Sequence, residues 1–390
     1  MTLIDSRTPG LRAGLPGLLS LAAASGLAVT TEMLPIGLLP QIAEAFAVSA
    51  SVSGLLVGLY AVMVAALAVP LTMATSRFAR KPLLMATVAG YAVSNTLVAA
   101  APGFVAVAVG RAVGGITHAL FFSLVIGYAP RLVSGGHVGR ALAVAGSGAS
   151  VGLVLGAPGL TSLGTATGWR TPFVVLAALS VITVVLLGRV LPPVEHDRTA
   201  TTPQTGRRGR LAAVAVSNAL VFLGHFTVYT FISVTLLENG ARPALVGPIL
   251  LICGACGLLG LWYSGRGLDR NPRRTTAVLL GALMCSVALL AAPWPALWVL
   301  LAAIAVWSTA FGGVPSIYQF CAVRTHAVSP ERAGAWINST ANAGIAGGSA
   351  IGAGLLETGG VSSLPWAGAA LIGLGLVVAL MSRSAFPAGA

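Results

Sequence analysis

The chain has 390 residues, of which 56% are hydrophobic and only 8% charged, with a mean hydropathy of +0.93. Soluble domains carry roughly 25% charged residues, so an ordinary water-soluble protein is excluded. The formal net charge of +13 raises nucleic acid as a partner, a reading that the positions of the charges remove.

Uncharged apolar stretches of 18 or more residues recur, each long enough to cross about 30 Å of hydrocarbon. Twelve spans are predicted, roughly at 14–38, 51–74, 83–101, 104–128, 139–163, 171–191, 211–236, 245–263, 277–292, 296–322, 333–356 and 362–381. With both termini on one side, that side holds all of the 22 Lys and Arg residues except Arg111, Arg170 and Arg242. The positive-inside rule then puts both termini in the cytoplasm, and nucleic-acid binding falls away. The first span is too long, and carries both an acid and a proline, to be a cleavable signal. Arg outnumbers Lys 21 to 1, which suggests a GC-rich bacterial genome and the cytoplasmic (inner) membrane.

In chain order, span one holds Glu32 within "TTEMLPIGLLP", about nine residues or roughly 13 Å from the outer end of its helix. "TSRFARKPLL" makes a basic turn between spans two and three, with Arg77, Arg80 and Lys81. Span four, "VGRAVGGITHALFF", buries Arg111 about eight residues or roughly 12 Å from its outer end. His118, two turns on, shares that face with Gly115 and Phe122. Span five places Gly148, Gly152 and Gly156 at every fourth position, a ridge that lets helix backbones approach closely. The polar segment 191–210, rich in Pro, Thr and Arg, is expected to be a cytoplasmic linker between a first six-helix bundle (1–190) and a second (211–390).

The second half repeats these features. Span seven carries a stripe of Asn218, Phe222, His225 and Tyr229, and "GRGLDRNPRR" forms a second basic turn. Gln319 follows a kink expected at Pro315 in span ten, while span eleven carries Asn338 and Asn342 beside a ridge of Gly344, Gly348 and Gly352. Ser76 and Asp269, like Glu32 and His225, are 193 residues apart. The expected fold is an all-α polytopic membrane protein with two pseudo-symmetric six-helix bundles.

An ionisable group at bilayer depth is a functional hypothesis by default. Glu32 and Arg111 lie at similar depth and are expected to pair. Burial disfavours a charged carboxylate and a nearby Arg favours it, so a Glu whose distance to an Arg changes with conformation loads a proton on one side and releases it on the other. The structural alternatives are an acid bonded to backbone opened by Pro35, an arginine that only locks helices, and histidines and asparagines that only bond their neighbours. Neutral or weakly charged substrates with aromatic character are expected, helped by residues such as Phe122, Phe222, Tyr229 and Trp307, because Glu32 is the only acid well inside a span.

Enzyme chemistry finds no support. "GSGASVG" at 146–152 follows no predicted strand and lacks a G-K-[ST] ending, so it is not a phosphate loop. No H-E-x-x-H, G-x-S-x-G or paired-carboxylate pattern is present. Cys253 and Cys256 form a C-x-x-C inside an apolar helix with no second ligand pair, which favours packing over zinc or redox chemistry. No metal and no cofactor is expected, protons being the coupling ion. The partners expected are a small molecule and the bilayer, with the protein a monomer.

Together these residues resemble the major facilitator superfamily over nearly the whole chain, and within it the twelve-span drug:proton antiporters that include bacterial sugar-efflux and chloramphenicol-resistance transporters. The family's basic signature, G-x-x-x-D-R-x-G-R-[KR], is matched by Arg77, Arg80 and Lys81, with Thr72, Ser76 and Ala79 in its Gly, Asp and Gly places. The second copy keeps Gly265, Asp269, Arg270, Arg273 and Arg274. Arg111 and Gly115 match R-x-x-x-G of span four, where the family's arginine is implicated in proton handling. Gly152, Gly156 and Pro158 match the antiporter signature G-x-x-x-G-P with Ala157 inserted. The resemblance implies a cavity lined by spans one, four, seven and ten that opens alternately to each side, and export in exchange for protons. It also implies that the acid missing at Ser76 leaves the first-half cytoplasmic gate weaker than the second. A proton-linked sugar or metabolite transporter, importing or exporting, is the alternative, and a non-transporting sensor a more distant one.

Overall fold

The computed structural model describes residues 11–75, 77–133, 137–193, 208–292, 297–328 and 330–387. It contains fifteen α-helices and, among the described residues, no strand. In the first half these are α1 (Leu11–Ala45), α2 (Ala50–Ala74), α3 (Arg80–Ala99), α4 (Phe104–Tyr128), α5 (Val138–Val151), α6 (Ala157–Thr167) and α7 (Thr171–Val190). In the second they are α8 (Arg208–Tyr229), α9 (Ile232–Glu238), α10 (Pro243–Arg270), α11 (Pro272–Leu289), α12 (Leu297–Gly312), α13 (Val314–Arg324), α14 (Pro330–Gly359) and α15 (Leu364–Met381).

Three of the predicted spans are broken helices, and the sequence explains two of the breaks. Between α5 and α6 the chain widens into a π-helical turn over Gly152–Gly156, ending two residues before Pro158, whose ring and missing N–H disrupt the preceding turn. Between α12 and α13 the break falls at Gly313, with Pro315 in the first turn of α13; this is the expected span-ten kink. The chain also breaks at Thr230 and Phe231, between α8 and α9, with no proline to account for it.

Ten of the resulting rods are long and apolar enough to cross a membrane among the described residues. The predicted spans 277–292 and 333–356 do form helices, α11 and α14, but are less apolar than expected. Helix α11 opens with Arg273, Arg274 and two threonines, and α14 carries two asparagines and a series of small residues. Both are supported by packing, α11 on α15 and α12, α14 on α8 and α2. The α8–α9 rod is the most enclosed, with 78% of its apolar window buried, against 28% for α7; α8 is central and α7 faces outward.

The glycine ridges behave as their spacing predicts. A methyl group at Gly148 or Gly152 would collide with the backbone of α1 at Ala22 or Gly26. On α14, one at Gly348 or Gly352 would press on α8 at Leu223 or Thr227. Each ridge therefore seats its helix against the first helix of its own half. The buried apolar residues form two clusters: one spans residues 18–191, and the other takes 211–386 together with Ile36, Leu39, Val57 and Ala61. Those four residues carry the second cluster across the seam between the halves.

Candidate functional site

The site is built on α1. Pro35 and Pro40 lie inside this helix and remove the N–H groups that would bond the carbonyls of Thr31 and Ile36, four residues earlier. Both orphaned carbonyls find tertiary partners. Arg111, 1% exposed, donates through Nη1 to Thr31 O at 2.7 Å and through Nη2 to Glu32 O at 3.0 Å. Ser233, on α9 in the other half, donates through Oγ to Ile36 O at 2.7 Å.

Arg111 therefore engages the backbone of Glu32 rather than its carboxylate, which differs from the expected side-chain pair. Its guanidinium also lies over the Tyr60 ring, 4.2 Å from the centroid. The carboxylate faces His118 instead, with Oε2 3.6 Å from Nε2. On the other side of that imidazole, the hydroxyls of Tyr60 and Tyr91 lie 2.8 and 3.0 Å from Nδ1. Asn95 completes the cluster by donating to Thr31 Oγ1 at 3.2 Å. Sequence reasoning missed Tyr60, Tyr91 and Asn95: a lone hydroxyl or amide in an apolar run carries no periodic signal.

Across from this cluster the span-seven stripe is realised. His225 stacks on Phe311, ring centroids 3.4 Å apart, and on Tyr229 at 5.1 Å. Trp307 Nε1–H donates to His225 Nδ1 at 3.1 Å, which leaves the imidazole proton on Nε2. Asn218 is fully buried and donates to Ile337 O and Thr340 Oγ1 at 2.9 and 2.8 Å. Asn342 donates to Asn338 O at 3.0 Å within α14.

Between the two walls lies a cavity of about 880 Å³, within the 300–1,000 Å³ typical of small-molecule sites. Glu32, His118, Phe122, Asn218, Phe222, His225, Tyr229, Gln319, Asn338 and Asn342 all line it, and Gly265 does too. Trp307 does not: it is 1% exposed and stands behind His225 as a hydrogen-bond donor, with the rings of His225 and Tyr229 packed against it. Arg111 is likewise sheathed by Tyr60 and α1 rather than presented to the cavity. Phe311 is a lining residue that the stripe analysis missed, since it precedes a break in its helix.

The cavity reaches Ile126, Gly265 and Gly334, all within about two turns of the helix ends nearest the chain termini. At the opposite end the halves are joined by Ser233 to Ile36, by Ser49 Oγ to Glu357 Oε1 at 3.4 Å, and by Gly54 against the Phe231 ring. The molecule is closed at one end and open toward the termini.

The basic turns sit at that open end. Lys81 Nζ donates to Gly188 O and Leu191 O at 2.8 and 2.6 Å, capping α7, and Arg273 Nη2 donates to Leu380 O at 2.6 Å at the end of α15. Each turn thus closes the last helix of its own half, where cations meet free carbonyls favourably. Arg77 and Arg270 are exposed. Ser76 lies outside the described residues, as does the side chain of Asp269.

A helical membrane protein with a central cavity walled by both halves, closed at one end, has the build of a solute transporter. The Major Facilitator Superfamily family model matches residues 21–334, and the chain belongs to that superfamily. It is a multi-pass membrane transport protein and not an enzyme. A chloramphenicol efflux pump of Mycobacterium tuberculosis is 30% identical over 380 residues, covering 94% of this chain and 92% of that protein. The "probable sugar efflux transporter" of Mannheimia succiniciproducens is 27% identical over 350 residues, covering 88% and 87%. Among solved structures, a D-xylose-proton symporter superposes with a TM-score of 0.76 at 16% identity, covering 96% of this chain and 98% of that one. The nucleoside transporter NupG gives 0.75 at 15%, covering 96% and 100%. At such identities these two structures speak for the fold alone.

Proposed function

We propose that this transporter exports a small, neutral or weakly charged, partly aromatic molecule from the bacterial cytoplasm in exchange for protons. It works as a monomer in the inner membrane with both termini cytoplasmic, Glu32 being the proton site. The observation that carries this reading is the cavity itself. A single carboxylate stands on a wall otherwise made largely of Phe122, Phe222, Phe226, Tyr229, Phe311 and aliphatic side chains. Such a wall suits an aromatic drug-like solute better than a sugar, whose many hydroxyls need many polar partners. The relative named as a chloramphenicol efflux pump points the same way, and the relative named for sugar efflux keeps a sugar as the second reading.

The test is substrate-driven proton movement in liposomes that hold the purified protein and a pH-sensitive dye, with chloramphenicol and a disaccharide as probes. Adding the transported solute to one side releases protons there. Glu32→Gln abolishes transport driven by an imposed pH gradient; unaltered gradient-driven transport would remove Glu32 from the role.

A further inference from the structure

We infer that Glu32 and His118 form one proton-carrying unit, in which Tyr60 and Tyr91 are positioning residues that hold His118 in a single tautomer. The inference deepens the proton-coupled reading above and rests on it. Two hydroxyls converge on His118 Nδ1 at 2.8 and 3.0 Å, while Nε2 faces the Glu32 carboxylate at 3.6 Å. If Nε2 were bare, its lone pair would oppose the carboxylate oxygen. Placing the hydrogen on Nε2 turns its positive end toward the carboxylate, an electrostatic contact at 3.6 Å, and leaves Nδ1 as acceptor for a hydroxyl.

The surroundings isolate the unit. Arg111 and His118 reach it from α4, Tyr60 from α2 and Tyr91 from α3. Other ionisable groups on α1 and on the helical segments packed against it stand at helix ends: Arg12, Arg80, Lys81, Tyr128, Arg131, Arg140, Arg189, Arg266 and Arg270 near the termini, Glu44 and Glu238 at the closed end. On α10, Cys253 lines the cavity, Cys256 follows it one turn on, and Tyr263 is exposed. His225 and Tyr229 form the far cavity wall.

Arg111 holds the backbone at Thr31 and Glu32 to α4, so Glu32 and His118 travel as one body. A proton arriving from cavity water bonds to a carboxylate oxygen of Glu32. His118 keeps its Nε2–H, because the single lone pair of Nδ1 accepts a hydrogen from the tyrosine pair, one hydroxyl bonding Nδ1 and the other bonding its fellow hydroxyl. On release the carboxyl O–H breaks, the proton returns to water and the electron pair stays on the carboxylate. One proton is carried per cycle, and His118 serves as the donor that steadies the anion.

The experiment is a pH titration of the full-length protein in nanodiscs, labelled with ¹³C-glutamate and ¹⁵N-histidine, with signals assigned through Glu32→Gln and His118→Gln. Expected are one titration step at the Glu32 carboxyl carbon and a His118 Nε2 shift with the same midpoint, Nδ1 staying unprotonated throughout. In Tyr60→Phe/Tyr91→Phe, conservative changes made to preserve packing, part of the population gains a proton on Nδ1 and the Glu32 midpoint moves. A protonated Nδ1 in the parent, an Nε2 signal that ignores the Glu32 step, or a double variant identical to the parent would each overturn the inference. An intact coupled titration beside transport that moves no protons would instead sink the proposed function and leave the pair standing.

Discussion

Arg111 is bonded to the main chain of Thr31, at 2.7 Å, because Pro35 has removed the amide that would otherwise take that carbonyl. The arginine and the proline are thus two halves of one device that ties α1 to α4 at the depth of Glu32. Removing Arg111 leaves a buried carbonyl unpaired, a loss of about 1–3 kcal/mol. Restoring an amide at position 35 supplies a new partner. Arg111→Ala is therefore expected to lower the melting temperature in detergent markedly in the parent and less in a Pro35→Ala background. Equal losses in both backgrounds would show that the two residues act independently.

Ser233 and Ile36 make the matching contact across the halves, and it exists only while the end remote from the termini is closed. Loss of one such hydrogen bond is worth about 1 kcal/mol, roughly a fivefold change in a two-state population. Ser233→Ala should shift the protein toward the conformer open at that end. Spin-label distances between the helix ends there would register the change, and an unchanged distribution would deny Ser233 its part in closure.

The ridge glycines make a sharper steric prediction. A methyl group at Gly148 meets the Ala22 carbonyl, whereas one at Gly159 meets nothing within 4 Å. Gly148→Ala should sharply reduce the yield of folded protein by size-exclusion chromatography. Gly159→Ala should leave it unchanged or raise stability by about 0.5–1 kcal/mol, the usual helical preference for Ala.

Lys81 holds two carbonyls at the end of α7, while Arg77 is exposed. Lys81→Met should cost about 1 kcal/mol of stability and loosen residues 188–191 to hydrogen exchange. Arg77→Gln should do neither. If both variants exchange like the parent, the basic turn serves orientation alone.

Much of this molecule was legible in one dimension. Burying apolar side chains and keeping basic ones on one side are properties of composition and spacing, so the helices, the doubled plan and most of the cavity stripe could be read directly. Helix α11 was legible as an apolar span from residue 277, while its first turn, with Arg273 and Arg274, fell outside the predicted span because charge weakens the apolar signal. Trp307 was misplaced because face periodicity cannot say what a neighbouring ring will cover. Tyr60 and Tyr91 went unseen because their partner lies on another helix.

The sequence by itself determined that this is an all-helical membrane protein with Glu32, Arg111 and two histidines at bilayer depth, since hydrophobic length and charge asymmetry are local and additive. Only the tertiary structure decided which of these groups meet. Hydrogen bonds between helices depend on rotation and depth to within an ångström or so, and in α1 on which carbonyls two prolines had left free. That geometry gave Arg111 to the backbone and His118 to Glu32, and it closed one end of the cavity through Ser233.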